Sequence, residues 1–183
     1  YDGSSSTSPD TFKVLVTDDS GQTTTTNVTV NVNPVADAPN LAGTTGVGGN
    51  VTLANVTTNE DTAVILGLKA PRVTDANDQN GSTTGDSPER LGVITLSGIP
   101  AGAALLSGTD ATLFTSNGGN ISIWLTDINH PTDETKPANA LEMTSAEFEA
   151  LKVLPPAESH ANFTVTVSVT SYEVNDSGTK VSG

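Results

Sequence analysis

Four stretches of the chain alternate apolar and polar residues with a period of two. Phe12, Val14 and Val16 share one face of a strand, and Val28, Val30 and Val32 oppose Asn27, Thr29 and Asn31. Ile121, Ile123 and Leu125 oppose Ser122, Trp124 and Thr126, and Phe163, Val165, Val167 and Val169 oppose Thr164, Thr166, Ser168 and Thr170. Such alternation describes sheets with one buried and one wet face. Weaker strand patterns run over 51–57, 62–68 and 91–97, with a short one near 111–115. Turn signals such as Asp19-Ser20-Gly21 and Asn117-Gly118-Gly119 fall between the strands. One short helix is expected. Thr144-Ser145-Ala146-Glu147 has the form of a capping box, Phe148 and Leu151 follow at helical spacing, and Pro155-Pro156 then stop it. The pattern predicts an all-β protein, an antiparallel β-sandwich with one short helical turn.

Residues 33–40, NPVADAPN, interrupt the alternation, and their two prolines prevent strand continuation and stiffen the link. Before them stands only one hairpin, over 11–32, and a hairpin alone buries no core. Residues 1–36 therefore read as the C-terminal hairpin of a preceding domain, itself incomplete. Residues 37–183 read as a sandwich of about seven strands that lacks a clear last strand.

Composition narrows the function. The net charge is −14 and the pI about 4.1. That balance argues against nucleic acid, whose counterions nothing here replaces, and against an anionic membrane surface. No apolar run approaches the ~18 residues of a membrane span, and no signal-peptide pattern opens the chain. Cysteine is absent, so disulfides, thiolate metal sites and cysteine nucleophiles are excluded together. A quarter of the residues are Ser or Thr and only 15% are charged. Acidity with low hydrophobicity also fits disorder; the period-two pattern decides for a folded sheet protein.

The chemistry lies in carboxylates. Asp75, Asn77 and Asp78 are closely spaced, with Asp86 and Glu89 later in the same loop. Hard oxygen ligands at this density suit Ca²⁺, which takes 6–8 of them, although the spacing is not that of an EF-hand. On that run alone a solvated acidic loop explains the residues equally well. Chain order separates the two. In a sandwich built in sequence order, successive loops alternate between the poles. The 75–89 loop, the turn carrying Glu173 and Asp176, and the linker carrying Asp37 then share one pole. Left without a cation, those charges repel one another. A Ca²⁺ ion there would pin neighbouring domains in line. Glu60 and Asp61 fall at the opposite pole, with Asp2 and Asp10 at the corresponding pole of the first unit, and are weaker candidates. Asp18 and Asp19 read as turn chemistry.

Trp124, the sole tryptophan, points opposite Ile121 and Ile123. An outward Trp is either a sugar-stacking platform or, more simply, packing beneath residues 127–140. That segment carries Asp127, His130, Asp133, Glu134 and Lys136, and reads as a polar loop that binds a ligand or is merely solvated. Enzyme chemistry is not expected. The two histidines, His130 and His160, lack further strong ligands for zinc. No G-x-S-x-G elbow, P-loop or strand-linked G-x-G-x-x-G occurs, and Gly43–Gly49 has no helix after it.

Two groups of segments carry a resemblance. TFKVLVTDDSGQTTTTNVTVNVNPVADAP resembles the final hairpin and linker of bacterial cadherin-like, Ig-like repeats. NEDTAVILGLKAPRVTDANDQNG, LSGIPAGAALLSG and LEMTSAEFEALKVLPPAESHANFTVTVSVTSYE together resemble a repeat domain of giant type I-secreted, RTX-type adhesins, with the pieces in family order over 59–173. The departures are a longer Asp-rich loop, the inserted 127–140 segment, and His160 where an acidic residue is usual. The resemblance implies an Ig-like or cadherin-like sandwich acting as a calcium-dependent extracellular module at a bacterial surface. Three expectations follow. The first is an extender module partnered by neighbouring repeats of the same polypeptide and rigidified by Ca²⁺ held by Asp37, Asp75, Asn77, Asp78, Asp86, Glu89, Glu173 and Asp176. The second is a carbohydrate- or peptide-binding module using the Trp124 face and the 127–140 loop. The third is a strand-exchanged subunit of an extracellular filament.

Overall fold

A computed structural model describes residues 10–30, 36–41, 55–73, 88–175 and 177–181. Where apolar residues fall on every second position, the chain extends and pairs. The first pair is a hairpin of β1 (Asp10–Thr17) and β2 (Thr23–Val30), in register from Asp10 opposite Val30 to Thr17 opposite Thr23. Directly opposed residues share a face. Phe12, Val14, Val16, Val28 and Val30 thus form one apolar face, and Phe12 and Val16 remain 52% and 55% exposed. The turn is fixed by Asp18, whose Oδ1 accepts from Ser20 N, Ser20 Oγ and Gln22 N at 2.7–3.0 Å.

The remaining strands build two facing four-stranded sheets. The first runs in the order β3 (Val64–Ile65), β10 (Lys152–Leu154), β6 (Ala104–Leu106), β7 (Thr112–Thr115). The second runs β11 (Thr166–Ser168), β5 (Ile94–Ser97), β8 (Ile121–Leu125), β9 (Leu141–Met143). Every pairing is antiparallel except β8 with β9. A two-stranded ribbon of β4 (Glu89–Leu91) and β12 (Ser171–Glu173) prolongs the second sheet, and Gly92 N donates to Thr170 O across the join at 2.8 Å. The alternating residues of β8 point as expected: Ile121, Ile123 and Leu125 are buried, while Ser122 and Trp124 are partly exposed. Together with Leu66, Leu68, Ile94, Leu96, Ile99, Leu105, Met143 and Val153 they form one core. Phe163, Val165, Val167 and Val169 are half-buried against it.

The helix α1 (Ser145–Glu149) begins at the expected capping box. Thr144 Oγ1 accepts from Glu147 N, and Glu147 Oε2 accepts from Thr144 N at 2.7 Å. Phe148 and Leu151 drive it into the core, with 0% and 1% exposure. Its end differs from expectation. The helix stops at Glu149, and β10 intervenes before Pro155-Pro156, which terminate that strand instead. The pattern over 91–97 is split at Gly92. A Cβ there would lie 2.8 Å from Tyr172 Cε2, so the ring passes close to the backbone at the gap between β4 and β5. The 62–68 pattern shrinks to β3, and residues 55–57 are not strand; Val32 and 51–54 lie outside the described residues.

Candidate metal centre

The expected acidic pole is built on the ribbon of β4 and β12. Period-two continuation of the Phe163–Val169 pattern carries Ser171 and Glu173 to the same side of the strand. Pairing sets Glu173 directly opposite Glu89, Tyr172 opposite Arg90, and Ser171 opposite Leu91. Glu89 is 4% exposed. The linker is stitched to this ribbon at both ends of one residue: Asp37 N donates to Glu89 Oε1, and Ser171 Oγ donates to Asp37 O. Val174 N donates to Pro88 O at 2.9 Å, which fixes the end of β12 to the start of β4. Arg90 Nη1 donates to the main-chain oxygen of Glu89 at 3.2 Å.

The segments that carry three of the eight expected ligands, Asp37, Glu89 and Glu173, thus adjoin one another, Asp37 through its main chain alone. Asp75, Asn77, Asp78, Asp86 and Asp176 lie outside the described residues. Among the described residues no group of three or more His, Cys, Asp or Glu side chains gathers as a metal cage. The groups the ribbon and the linker carry here are two carboxylates in opposed register and a main-chain carbonyl, oxygens of the hard kind that Ca²⁺ takes. Like charges directly opposite each other across a strand pair repel, so a cation beside Glu89 and Glu173 would be favoured. A cavity of about 220 Å³ opens next to Glu89, lined by Pro71, Arg72, Arg90, Leu91, Asp127 and Asn129.

Sequence reasoning missed Ser171 and the role of the Asp37 main chain. Ser171 left a signal, because it is a polar residue in the inward register that Val165, Val167 and Val169 establish. The contribution of Asp37 is through its peptide groups, which no side-chain pattern reveals.

The other candidates find structural partners. Trp124 packs on His130, with ring centroids 3.6 Å apart and 21° between the planes, so one indole face is covered. Asp127 Oδ1 accepts from Ser145 N and Oγ at 2.8 and 2.9 Å, tying the loop to the helix start. Asp133 accepts from Lys180 N at 3.1 Å, and Glu134 pairs with Lys180 Nζ at 3.0 Å. Burial pushes the Lys180 ammonium down, but the hydrogen bond and charge of Glu134 outweigh it and raise the group above its ordinary value. Lys136 pairs with Glu142 at 2.7 Å. Asp61 Oδ1 accepts from Glu158 N at 3.3 Å. The charged side chains of the 127–140 segment are therefore spent on holding it to the body.

No protein-family model, curated protein or solved structure matches the chain. Among the described residues no helix is long and apolar enough to cross a membrane.

Proposed function

We propose that this chain is an extender module of a large secreted bacterial surface adhesin, stiffened by calcium where one domain meets the next. The observation that supports this reading most is the meeting of the linker with two opposed glutamates at Asp37, Glu89 and Glu173. A divalent ion there joins the linker to the ribbon and so sets the angle between neighbouring units. The remaining oxygens come, on this reading, from Asp75, Asn77, Asp78, Asp86 and Asp176. Extracellular calcium modules bind at about 10⁻⁴–10⁻³ M, so the surrounding medium keeps the site filled.

Chelation tests it. Calcium at about ten times its dissociation constant stabilises the folded state by roughly 1.4 kcal/mol, or about 3–6 °C for a domain of this size. EDTA should remove that increment, and Glu89→Gln and Glu173→Gln should abolish the response to added calcium while leaving the fold intact. A melting temperature indifferent to both EDTA and calcium would sink the reading.

A further inference from the structure

The chain has two arginines, Arg72 and Arg90, and both line the cavity beside Glu89. Acidic residues number 21, and four of the five lysines pair with one of them at 2.7–3.1 Å. Neither arginine forms such a pair among the described residues. Arg90 Nη1 donates to a main-chain oxygen instead, that of Glu89 at 3.2 Å. Arg72 is exposed, and its charge reaches Glu149, whose carboxylate is itself bonded to Ala70 N and Lys69 Nζ. A guanidinium is the side chain whose planar fork matches a carboxylate bidentately. Two such forks stand unpaired at one cavity.

Both arginines stand on fixed backbone. Asn40 and Arg72 exchange main-chain hydrogen bonds at 2.8 and 2.9 Å, which pins Arg72 to the linker. Arg90 is held in β4 opposite Tyr172. The apolar part of the lining is Pro71 and Leu91, both buried, and the half-buried Ile128. The acids of the wall are engaged on the protein side: Glu89 Oε1 takes the Asp37 amide, and Asp127 Oδ1 takes the Ser145 amide and hydroxyl. Asp127 Oδ2 has no partner among the described residues, and the exposed Asn129 amide both donates and accepts. At about 220 Å³ the cavity is smaller than the ~300–1,000 Å³ of pockets for drug-sized ligands, so it suits one small ring.

We propose that this cavity binds an acidic sugar, a single ring carrying a carboxylate. Arg72 and Arg90 take the carboxylate, Asp127 Oδ2 and Asn129 take hydroxyls, and Pro71, Leu91 and Ile128 carry the C–H face of the ring. A bare carboxylate meets Asp127 only as repulsion, whereas sugar hydroxyls donate to it. An acidic peptide side chain brings a carboxylate without those hydroxyls. A second copy of this chain approaches against a net charge of −14. The site lies beyond the calcium reading and needs no metal.

The test uses the full chain in EDTA and follows the Nε–H resonances of the two arginines, assigned with Arg72→Gln and Arg90→Gln. Glucuronate or N-acetylneuraminate should shift both resonances, with a dissociation constant on the order of 1 mM. Glucose, which lacks the charge, and acetate, which lacks the ring, should bind at least about tenfold more weakly. Arg90→Lys keeps the charge and loses the fork, and should weaken binding of the acidic sugar by about tenfold. Arginine resonances unmoved by either acidic sugar overturn the proposal. So does acetate or glucose binding as well as the sugar acids, or a glutamate-rich peptide binding more tightly than they do. Sugar-acid binding that appears only with added calcium and persists in Arg72→Gln and Arg90→Gln overturns it too, because the carboxylate then sits on the metal.

Discussion

At the scale of single residues, the carboxylates divide by the partner each one found. Asp18 serves a turn. The Ser20 hydroxyl and the Gln22 amide, both donating to it, hold its carboxyl below the ordinary aspartate value. Glu149 is held low by the Ala70 amide and then by Lys69. A group whose folded value is depressed stabilises the fold at pH above its unfolded value, and that contribution fades as pH falls through the folded one. The β1–β2 hairpin should therefore keep its turn at neutral pH and begin to lose it below about pH 4, the ordinary aspartate range. Amide exchange at Gln22 checks this, and Asp18→Ala, which has no side-chain acceptor, should exchange fast at every pH. Equal protection of wild type and variant at neutral pH would show that the side chain does not hold the turn. Glu89 and Glu173 belong to a different class, because strand pairing sets one directly opposite the other, while Glu89 also accepts from the Asp37 amide.

At the scale of elements, period-two patterning made β1, β2, β5, β8 and β11 legible, because each alternates apolar and polar residues, whether its apolar face is covered, as in β5 and β8, or exposed, as in β1 and β2. Strands β6, β9, β10 and β12 were not legible. Each is three residues long, too short to show a period, and β9 pairs in parallel with the preceding strand β8 after the intervening loop. The helix start was readable from Thr144 and Glu147, whereas its end was set by β10 joining β3 and β6 and carried no local mark. The side-by-side placement of Glu89 and Glu173 was readable from chain order, although each stands in a strand too short to show a period. Ser171 and the Asp37 peptide were not, since they act through tertiary hydrogen bonds. The turn after β5 yields a sharp prediction. Gly98 has φ +83°, and a Cβ on it would fall 2.0 Å from Thr164 O. Left-handed backbone alone costs an L-residue about 1–2 kcal/mol, and the clash forces β5 and the 163–165 segment apart. Gly98→Ala should lower the urea midpoint by at least about 2 kcal/mol in equivalent free energy, while Gly21→Ala, with open space around it, should cost only the backbone term.

At the scale of the whole molecule, the net charge of −14 makes two effects of calcium look alike. Any salt screens the mutual repulsion of the carboxylates, and the Debye length is already about 8 Å at 0.15 M. Four lysines are bound up in ion pairs, Lys69 with Glu149, Lys136 with Glu142, Lys152 with Asp110 and Lys180 with Glu134. Such exposed or half-exposed pairs contribute little each, so general repulsion is a real burden on the fold. Melting at matched ionic strength separates screening from site binding. Screening depends on ionic strength, so NaCl, MgCl₂ and CaCl₂ adjusted to the same value should then raise the melting temperature by similar amounts. A site of opposed glutamates and main-chain oxygen favours the larger, less strictly octahedral Ca²⁺ over Mg²⁺. The expected order is CaCl₂ above MgCl₂ and NaCl, with the calcium excess absent in Glu173→Gln and the common screening increment retained. Three coincident curves would assign the whole response to screening and leave Glu89 and Glu173 as a structural pair.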